Sequence, residues 1–389
     1  MNDELIREAV ERHGSPLFMV DSNHVGNELD RLRREFRKVY KNTVIAYSVK
    51  TNYLPPLIRR AAKADHLIEV VSRHEWEFVR ALGIPDSQVM LNGPVKSQDD
   101  LVEAIESGVQ LNVDSLAELE MVEAIAQSRG SVVHVGLRVA PQLPNGRESR
   151  FGIVPSELLP WVREMSQRGA VRVRGLHMHY SMDRSAQSYA ERVRFLTKIA
   201  RELAITPEYL DIGGGMASVV PPSVQRQLGY DVSTFADYAA AAGGAMAKEW
   251  GAAGPTLILE PGTATLSGGM SYVSAVVSTR KSDTVVVNGT MFETNPLRSS
   301  VQPPIRVLGR DADLGGGTTV YGATCMEIDV LGEISPGIRP GDLVVVENVG
   351  AYSLVLSPEF IVPRAGVVDA ATGDLVRAPQ SAGTLGGFQ

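Results

Sequence analysis

The chain has 389 residues, 44% of them apolar and 21% charged, with a formal net charge of -7. That balance is typical of a globular protein with a substantial core, long enough for one large domain and a smaller one. It argues against a nucleic-acid partner, since no basic tract or basic-aromatic patch occurs; nor does any uninterrupted apolar run approach a membrane span. Met1-Asn2-Asp3-Glu4 lacks the basic-then-apolar layout of a signal peptide, and a lone cysteine cannot form an internal disulfide, so a cytoplasmic location is expected.

After a helical start, Gly14 to Asp21 reads as a short strand. From Ser22 a helix is expected, with Val25, Leu29, Leu32 and Phe36 on one face and Ser22 or Asn23 as its cap. The apolar run from Thr43 to Ser48 is the next strand. It delivers Tyr47-Ser48-Val49-Lys50-Thr51-Asn52 just ahead of Pro55-Pro56, which places Lys50 where a buried strand gives way to a loop. The alternation continues with strands at Leu67 to Val71, Val89 to Asn92, Gln110 to Val113, Val133 to Val139, Val173 to His179, Tyr209 to Ile212 and Thr256 to Leu259. Helical patterns lie between them, around Glu75 to Leu82, Gln98 to Ser107, Ser115 to Gln127, Pro155 to Gln167 and Ala186 to Leu203. Eight β-rich runs with helices between them have the rhythm of an α/β protein built as a (β/α)8 TIM-type barrel. A doubly wound sheet is the runner-up, but no strand-Gly-x-Gly-x-x-Gly-helix unit supports it.

Beyond Gly262 the texture changes. Val273 to Ser278, Thr284 to Val287, Met326 to Leu331, Leu343 to Glu347 and Phe360 to Val362 are strand-like and separated by Gly, Pro and Asp, as in a second, all-β domain. The expected organisation is a barrel over 25–262, a β-domain over 263–380, an N-terminal segment 1–24, and a loose tail over 381–389.

In such barrels the working residues sit at the C-terminal ends of the strands. Those ends carry Lys50, Ser72, Asn92, Asp114, Arg138, His179, the Gly213-Gly214-Gly215 turn and Glu260. Lys50 reads either as a strand-end charge facing water or as an amine in a closed site, where desolvation makes it a nucleophile towards a carbonyl. Three successive glycines allow either a flexible turn or a nest of backbone N–H groups that approach an anion closely. His177 and His179, two apart, share one side of a strand and read as core histidines, metal ligands or a ring stacking on a flat cofactor. No histidine follows His179 and the only cysteine is Cys325, so a zinc site would need carboxylates and no metal is expected.

Together these residues resemble a known family. Tyr47-Ser48-Val49-Lys50-Thr51-Asn52 looks like the pyridoxal-phosphate lysine motif of the alanine-racemase-like (fold type III) amino-acid decarboxylases, nearest in look to the diaminopimelate and ornithine decarboxylases. The likeness runs on in the family's order. It passes through Asn92-Gly93-Pro94, Val113-Asp114-Ser115, Leu137-Arg138-Val139, Arg150-Phe151-Gly152, Gly175 to His179 and Leu210 to Gly215. It ends with Glu260-Pro261-Gly262, Gly322 to Cys325, Gly341-Asp342 and Gly350-Ala351-Tyr352-Ser353. The resemblance implies pyridoxal 5'-phosphate as cofactor and an amino acid as substrate. It also implies that the N-terminal segment joins the β-domain, in a head-to-tail homodimer with shared sites. By the same resemblance Lys50 would hold the cofactor covalently, His179 would stack on its ring and Glu260 would pair with the ring nitrogen. Gly213, Gly214, Gly215 and Tyr352 would hold the phosphate, and Cys325 of the partner subunit would reprotonate the substrate carbon. A racemase or epimerase on the same scaffold is the second reading, and a pyridoxal-phosphate-binding protein without catalysis the third.

The chain departs from the family pattern in three places. Thr263 stands where an arginine usually follows Glu-Pro-Gly, Tyr180-Ser181-Met182 replaces a turn of small residues, and Met326 follows Cys325 where an acidic residue is common. Thr263, Thr265 or Ser181 hydroxyls could partly compensate at the phosphate. Met326 offers no charge to a distal ammonium, and Arg298 suits a carboxylate. A simple free diamino acid is therefore not the expected substrate.

Overall fold

The computed structural model of the chain describes residues 1–217, 220–281, 283–310 and 316–381. All of the expected tail except Ser381 lies outside the described residues. The chain divides into two compact units. One comprises Met1–Asn27, Val220–Val232 and Thr265–Gln389, and the other Glu28–Val219 and Ser233–Ala264. Among the described residues no helix is long and apolar enough to cross a membrane.

The first unit opens with a helix, Asp3–His13, and strand β1, Leu17–Val20. The next helix, Ser22–Val39, buries Val25, Leu29, Leu32 and Phe36 as its periodicity requires. Its cap is neither Ser22 nor Asn23. The Asp21 carboxylate accepts from the His24 N–H at 2.8 Å, so the residue that leaves β1 also starts the helix.

The second unit is a closed barrel of eight parallel strands. These are β2 (Thr43–Ser48), β3 (Leu67–Val70), β4 (Val89–Leu91), β5 (Gln110–Val113), β6 (Val133–Arg138), β7 (Val171–His177), β8 (Tyr209–Asp211) and β9 (Thr256–Leu259). Pairing of β9 with β2, through Val44 and Ile258, closes the ring and excludes the doubly wound alternative. Helices fill the intervals, including Gln98–Ser107, started by a reciprocal Ser97–Asp100 capping box. The helix between β2 and β3 is Pro55–Lys63. Its two prolines occupy the first turn, where a missing N–H leaves no bond unmade.

One row across the barrel is built around a single side chain. In register, Asn112 of β5 pairs with Gly136 of β6, Gly136 with Gly175 of β7, and Gly175 with Tyr209 of β8. The Tyr209 ring lies across both glycines and its hydroxyl donates to Asn112 Oδ1 at 2.5 Å. A Cβ on Gly175 would strike the Tyr209 ring, and one on Gly136 would strike both the hydroxyl and Asn112. Two missing side chains thus make room for one buried polar contact.

In the first unit, β1 is central to a nine-stranded sheet. The other strands are β10 (Met270–Lys281), β11 (Thr284–Val287), β12 (Ile305–Val307), β13 (Thr318–Tyr321), β14 (Val330–Ile334), β15 (Leu343–Glu347), β16 (Gly366–Asp369) and β17 (Leu375–Arg377). β1 runs antiparallel to β10 and parallel to β16. Ile6 and Ala9 of the first helix pack with Leu17, Met19, Val273, Val345 and Val368 in one core cluster. Two expected strands differ. Met326 to Asp329 is a turn, closed by the Asp329 N–H on the Met326 carbonyl at 3.0 Å, and β14 starts only at Val330. Phe360 and Val362 form a lone bridge.

The glycine row makes a direct prediction. Gly175→Ala should cost on the order of 2 kcal/mol of stability through overpacking, seen as a lower urea midpoint. Gly244→Ala is the control, because its Cβ meets nothing within 4 Å and its backbone is helical, so stability should hold or rise slightly. Equal midpoints for the two variants would refute the packing account.

Candidate active site

Lys50 sits in a single 3-10 turn, Val49–Thr51, that follows β2 directly. Its Nζ donates to both oxygens of Glu69, at 2.6 and 2.5 Å. Glu69 lies on β3, its carboxylate 1% exposed, a charge within the run Leu67 to Val70. Asn92, just past β4, donates to Glu69 Oε1 at 3.2 Å and to Glu260 Oε1 at 2.7 Å. It accepts in turn from Asn112 Nδ2 at 2.7 Å. One continuous polar chain therefore runs from Tyr209 through Asn112 and Asn92 to both glutamates and Lys50.

Glu260 follows β9 and is buried. Two histidines face its oxygens, His177 Nε2 at 3.8 Å and His179 Nδ1 at 3.7 Å. β7 ends at His177, so His179 stands two residues beyond the strand. The Gly214 N–H donates to His179 Nδ1 at 2.9 Å, which leaves Nε2 to carry the proton of the neutral ring. Asp211, the last residue of β8, accepts from the Gly213 N–H at 2.9 Å, while its Oδ2 has no partner among the described residues. Both ring nitrogens of the buried His177 are likewise unpaired.

The electrostatics follow from this crowding. Burial, then the Glu69 carboxylate, push Glu260 up to about 7. Burial first and Glu260 second hold Asp211 well above the ordinary carboxylate range. Burial, then the Arg138 cation, keep His177 far below the usual imidazole value, so it is neutral. Ligand-type atoms of His177, Asp211 and Glu260 lie within 4.8 Å of one another. Sequence spacing could not reveal this grouping, since the three come from different strands.

The glycine turn excludes side chains at every position. A Cβ at Gly213 would come within 2.6 Å of the Met178 carbonyl, one at Gly214 would strike the Glu260 carbonyl, and one at Gly215 would lie 3.0 Å from the Tyr180 carbonyl. Gly213 and Gly215 also have φ of 67° and 92°, in the left-handed region. Ser181 lies beside Gly215. Other rim residues have local roles: Ser72 caps the Arg73–Ala81 helix, and Asp114 pairs with Arg138 at 3.0 Å.

A family model described as the pyridoxal-dependent decarboxylase, pyridoxal binding domain, matches residues 27–267. The chain belongs to this family. Pyridoxal phosphate is therefore the cofactor of this decarboxylase, a carboxy-lyase. It is 28% identical to a diaminopimelate decarboxylase of Archaeoglobus fulgidus, over 98% of this chain and 94% of the relative. A second diaminopimelate decarboxylase, from Actinosynnema pretiosum, is 29% identical over 95% of this chain and 88% of its own length. The fold matches the crystal structure of diaminopimelate decarboxylase from Helicobacter pylori complexed with L-lysine, with a TM-score of 0.83 at 22% identity, covering 98% of each chain.

The remaining expected site residues of the decarboxylase lie in its first unit. Cys325 and Met326 are exposed, in the loop before β14. Asp329 anchors that loop from beneath, accepting from Met291 N–H at 2.8 Å and from the Thr324 N–H and hydroxyl at 3.0 and 2.7 Å. Tyr352 has φ of 66° and begins a short helix, Ser353–Leu356. Arg298, exposed and with φ of 52°, lines a cavity of about 840 Å³ with Arg226 and Glu333.

Sequence reading missed Glu69, Asp211 and Asn112. Each was visible as a polar residue inside an apolar strand run, the signature of a group that points into a barrel.

The raised carboxylates predict the pH response of the cofactor-free protein. A folded-state value above the unfolded one means that the native form binds the extra proton, so stability falls as pH rises from about 4.5 through about 7. Glu260→Gln should flatten this fall, raising the melting temperature at pH 8 and leaving it little changed at pH 5. A variant curve parallel to wild type would show that Glu260 is not the source.

Proposed function

We propose that this decarboxylase removes the α-carboxylate of a free diamino acid of the diaminopimelate type. The observation that carries the site assignment is the convergence of Lys50, Glu260, His179 and the Gly213–Gly215 turn in one barrel interior. These residues suit pyridoxal phosphate for physical reasons. Three buried carboxylates, Glu69, Asp211 and Glu260, favour a cationic ring nitrogen, and the orphaned Asp211 Oδ2 and His177 nitrogens leave polar capacity unused. A turn closed to every Cβ lets backbone N–H groups approach a phosphate.

In this reading Lys50 would hold the cofactor through its amine, positioned by Glu69. Glu260 would favour a protonated ring nitrogen and His179 would lie against the ring. Gly213, Gly214 and Gly215 would hold the phosphate. When bound, pyridoxal phosphate supplies an electron-poor ring that accepts the electron pair left by departing CO2. Cys325, contributed by the partner subunit of a head-to-tail homodimer, delivers a proton from Sγ to the substrate carbon.

Relatives along nearly the whole chain are named for diaminopimelate, which is itself a free diamino acid. That name weighs against the expectation drawn from Met326. Glu327, next in the same exposed turn, offers the carboxylate that Met326 lacks, and Arg298 offers a cation. Diaminopimelate carries both a carboxylate and an ammonium at its far end; lysine and ornithine carry only the ammonium. Losing one charge-assisted hydrogen bond costs about 1.5–3 kcal/mol, roughly ten- to a hundredfold.

CO2 release from diaminopimelate, lysine, ornithine and arginine should therefore rank diaminopimelate first. Arg298→Ala should lower kcat/KM for diaminopimelate by about tenfold or more and leave the weak lysine rate unchanged. Turnover of ornithine or lysine at the diaminopimelate rate would overturn the assignment. Borohydride reduction of the holoenzyme should fix the cofactor to Lys50, and mapping to another lysine would remove the basis of the site.

Shared sites predict complementation. Lys50→Ala and Cys325→Ala are each expected to be inactive, but mixing and reassociating them should restore about a quarter of wild-type activity, because half the dimers regain one intact site. No recovery, with subunit exchange demonstrated by differential labelling, would place Cys325 in its own chain's site or outside the chemistry.

A further inference from the structure

Behind the glycine turn lies a cation that the proposed chemistry does not use. Arg192, on the Ala186–Glu202 helix, is 1% exposed. Its Nη1 donates to the carbonyls of Ile212 at 3.0 Å and Gly214 at 2.7 Å, and its Nη2 to those of Tyr180 at 2.8 Å and Asp183 at 3.4 Å. The guanidinium carbon lies 3.9 Å from the Tyr189 ring centre and 4.2 Å from that of Tyr180. Its Nε has no partner, and no carboxylate pairs with it among the described residues.

A buried cation without an anion is costly, by several kcal/mol even after relaxation. Carbonyl dipoles and aromatic faces offset part of that cost. What the guanidinium lacks is negative charge, and its bonds indicate from where that charge can come. In a trans peptide the C=O and N–H point to opposite sides. Arg192 and the Tyr189 hydroxyl, at 2.6 Å, both draw the Gly214 carbonyl towards the helix, so the Gly215 N–H faces away from it. That N–H has no acceptor among the described residues. An anion taken by the Gly215 N–H would be separated from the guanidinium by one peptide layer.

We propose that Arg192 is a positioning residue whose charge, transmitted through the Gly213–Gly215 turn, holds the cofactor phosphate. This rests on the placement of the phosphate at that turn, and it supplies the charge that Thr263 cannot.

The test compares two probes that offer the same aldehyde to Lys50 and differ only in the phosphate: pyridoxal 5'-phosphate and pyridoxal. Each is titrated into cofactor-stripped protein and followed by absorbance. Arg192→Gln keeps N–H donors for the carbonyls and removes the charge, and Arg192→Lys keeps the charge and loses the fork. In Arg192→Gln, affinity for pyridoxal phosphate should fall by about tenfold or more, while affinity for pyridoxal stays within about twofold. Arg192→Lys should keep the ratio of the two affinities within about threefold of wild type. A parallel loss of both probes in Arg192→Gln would mark a merely structural contact and overturn the proposal, as would an unchanged ratio. Should Arg192→Gln fail to fold, a collapsed ratio in Arg192→Lys would overturn the role of charge by itself. Wild-type protein that takes up neither probe would instead refute the cofactor site on which the inference rests.

Discussion

Three carboxylates share the closed interior of the barrel, and the rest of the site is arranged around their mutual repulsion. Glu69, Asp211 and Glu260 are all buried, where charges interact far more strongly than in water. The barrel handles them unequally. Glu69 is neutralised directly by Lys50, Glu260 is pushed up to about 7, and Asp211 is held higher than its ordinary range. Asn92 connects the first two and keeps them at fixed separation. Its own orientation depends on Asn112, and Asn112 depends on Tyr209 lying over two glycines. A packing choice on β6 and β7 thus fixes the geometry of a charged group on the far side of the barrel.

The site is also polarised along a very short piece of chain. Between Asp211 and Gly215 the backbone passes from a buried carboxylate to a turn whose last N–H, that of Gly215, has no acceptor among the described residues. His179 stands at the junction, accepting from Gly214 and facing Glu260. A ligand with a cationic ring and an anionic substituent fits that order in one orientation only. Reversing it would set an anion against Glu260 and a cation before the Gly215 N–H, whose peptide carbonyl is held by Arg192.

Much of this was legible in the sequence because barrels advertise themselves through period. The eight strand runs and the Gln98–Ser107 and Ala186–Glu202 helices coincide closely with the alternation of apolar residues. Lys50, Glu260 and the glycine turn stand out in the sequence because strand ends are where such folds place chemistry, and each does follow a barrel strand. What escaped had physical causes. Met326 to Ile328 is apolar enough for a strand, but Asp329 gathers four donors and closes a turn instead. Arg192 occupies a core position of its helix, with Tyr189, Val193 and Leu196 at i-3, i+1 and i+4. A charge on an apolar face was its signal, and one that periodicity reads as noise. The contacts that give it meaning come from the separate loops after β7 and β8.

The unsatisfied groups follow the same logic. His177 has two buried nitrogens without partners, Asp211 has one such oxygen and Arg192 one such nitrogen. Each unmade hydrogen bond costs on the order of 1–3 kcal/mol, a large fraction of the stability of any domain. Such groups persist in native proteins chiefly where function requires them. These four flank the two features of opposite character, the carboxylates and the glycine turn, while others, such as both ring nitrogens of His66 and the Ser274 hydroxyl, lie elsewhere. A barrel optimised for stability alone would replace them with apolar side chains of similar volume. A ligand with matching charges would give these groups the partners they lack and would stabilise the native form by differential binding.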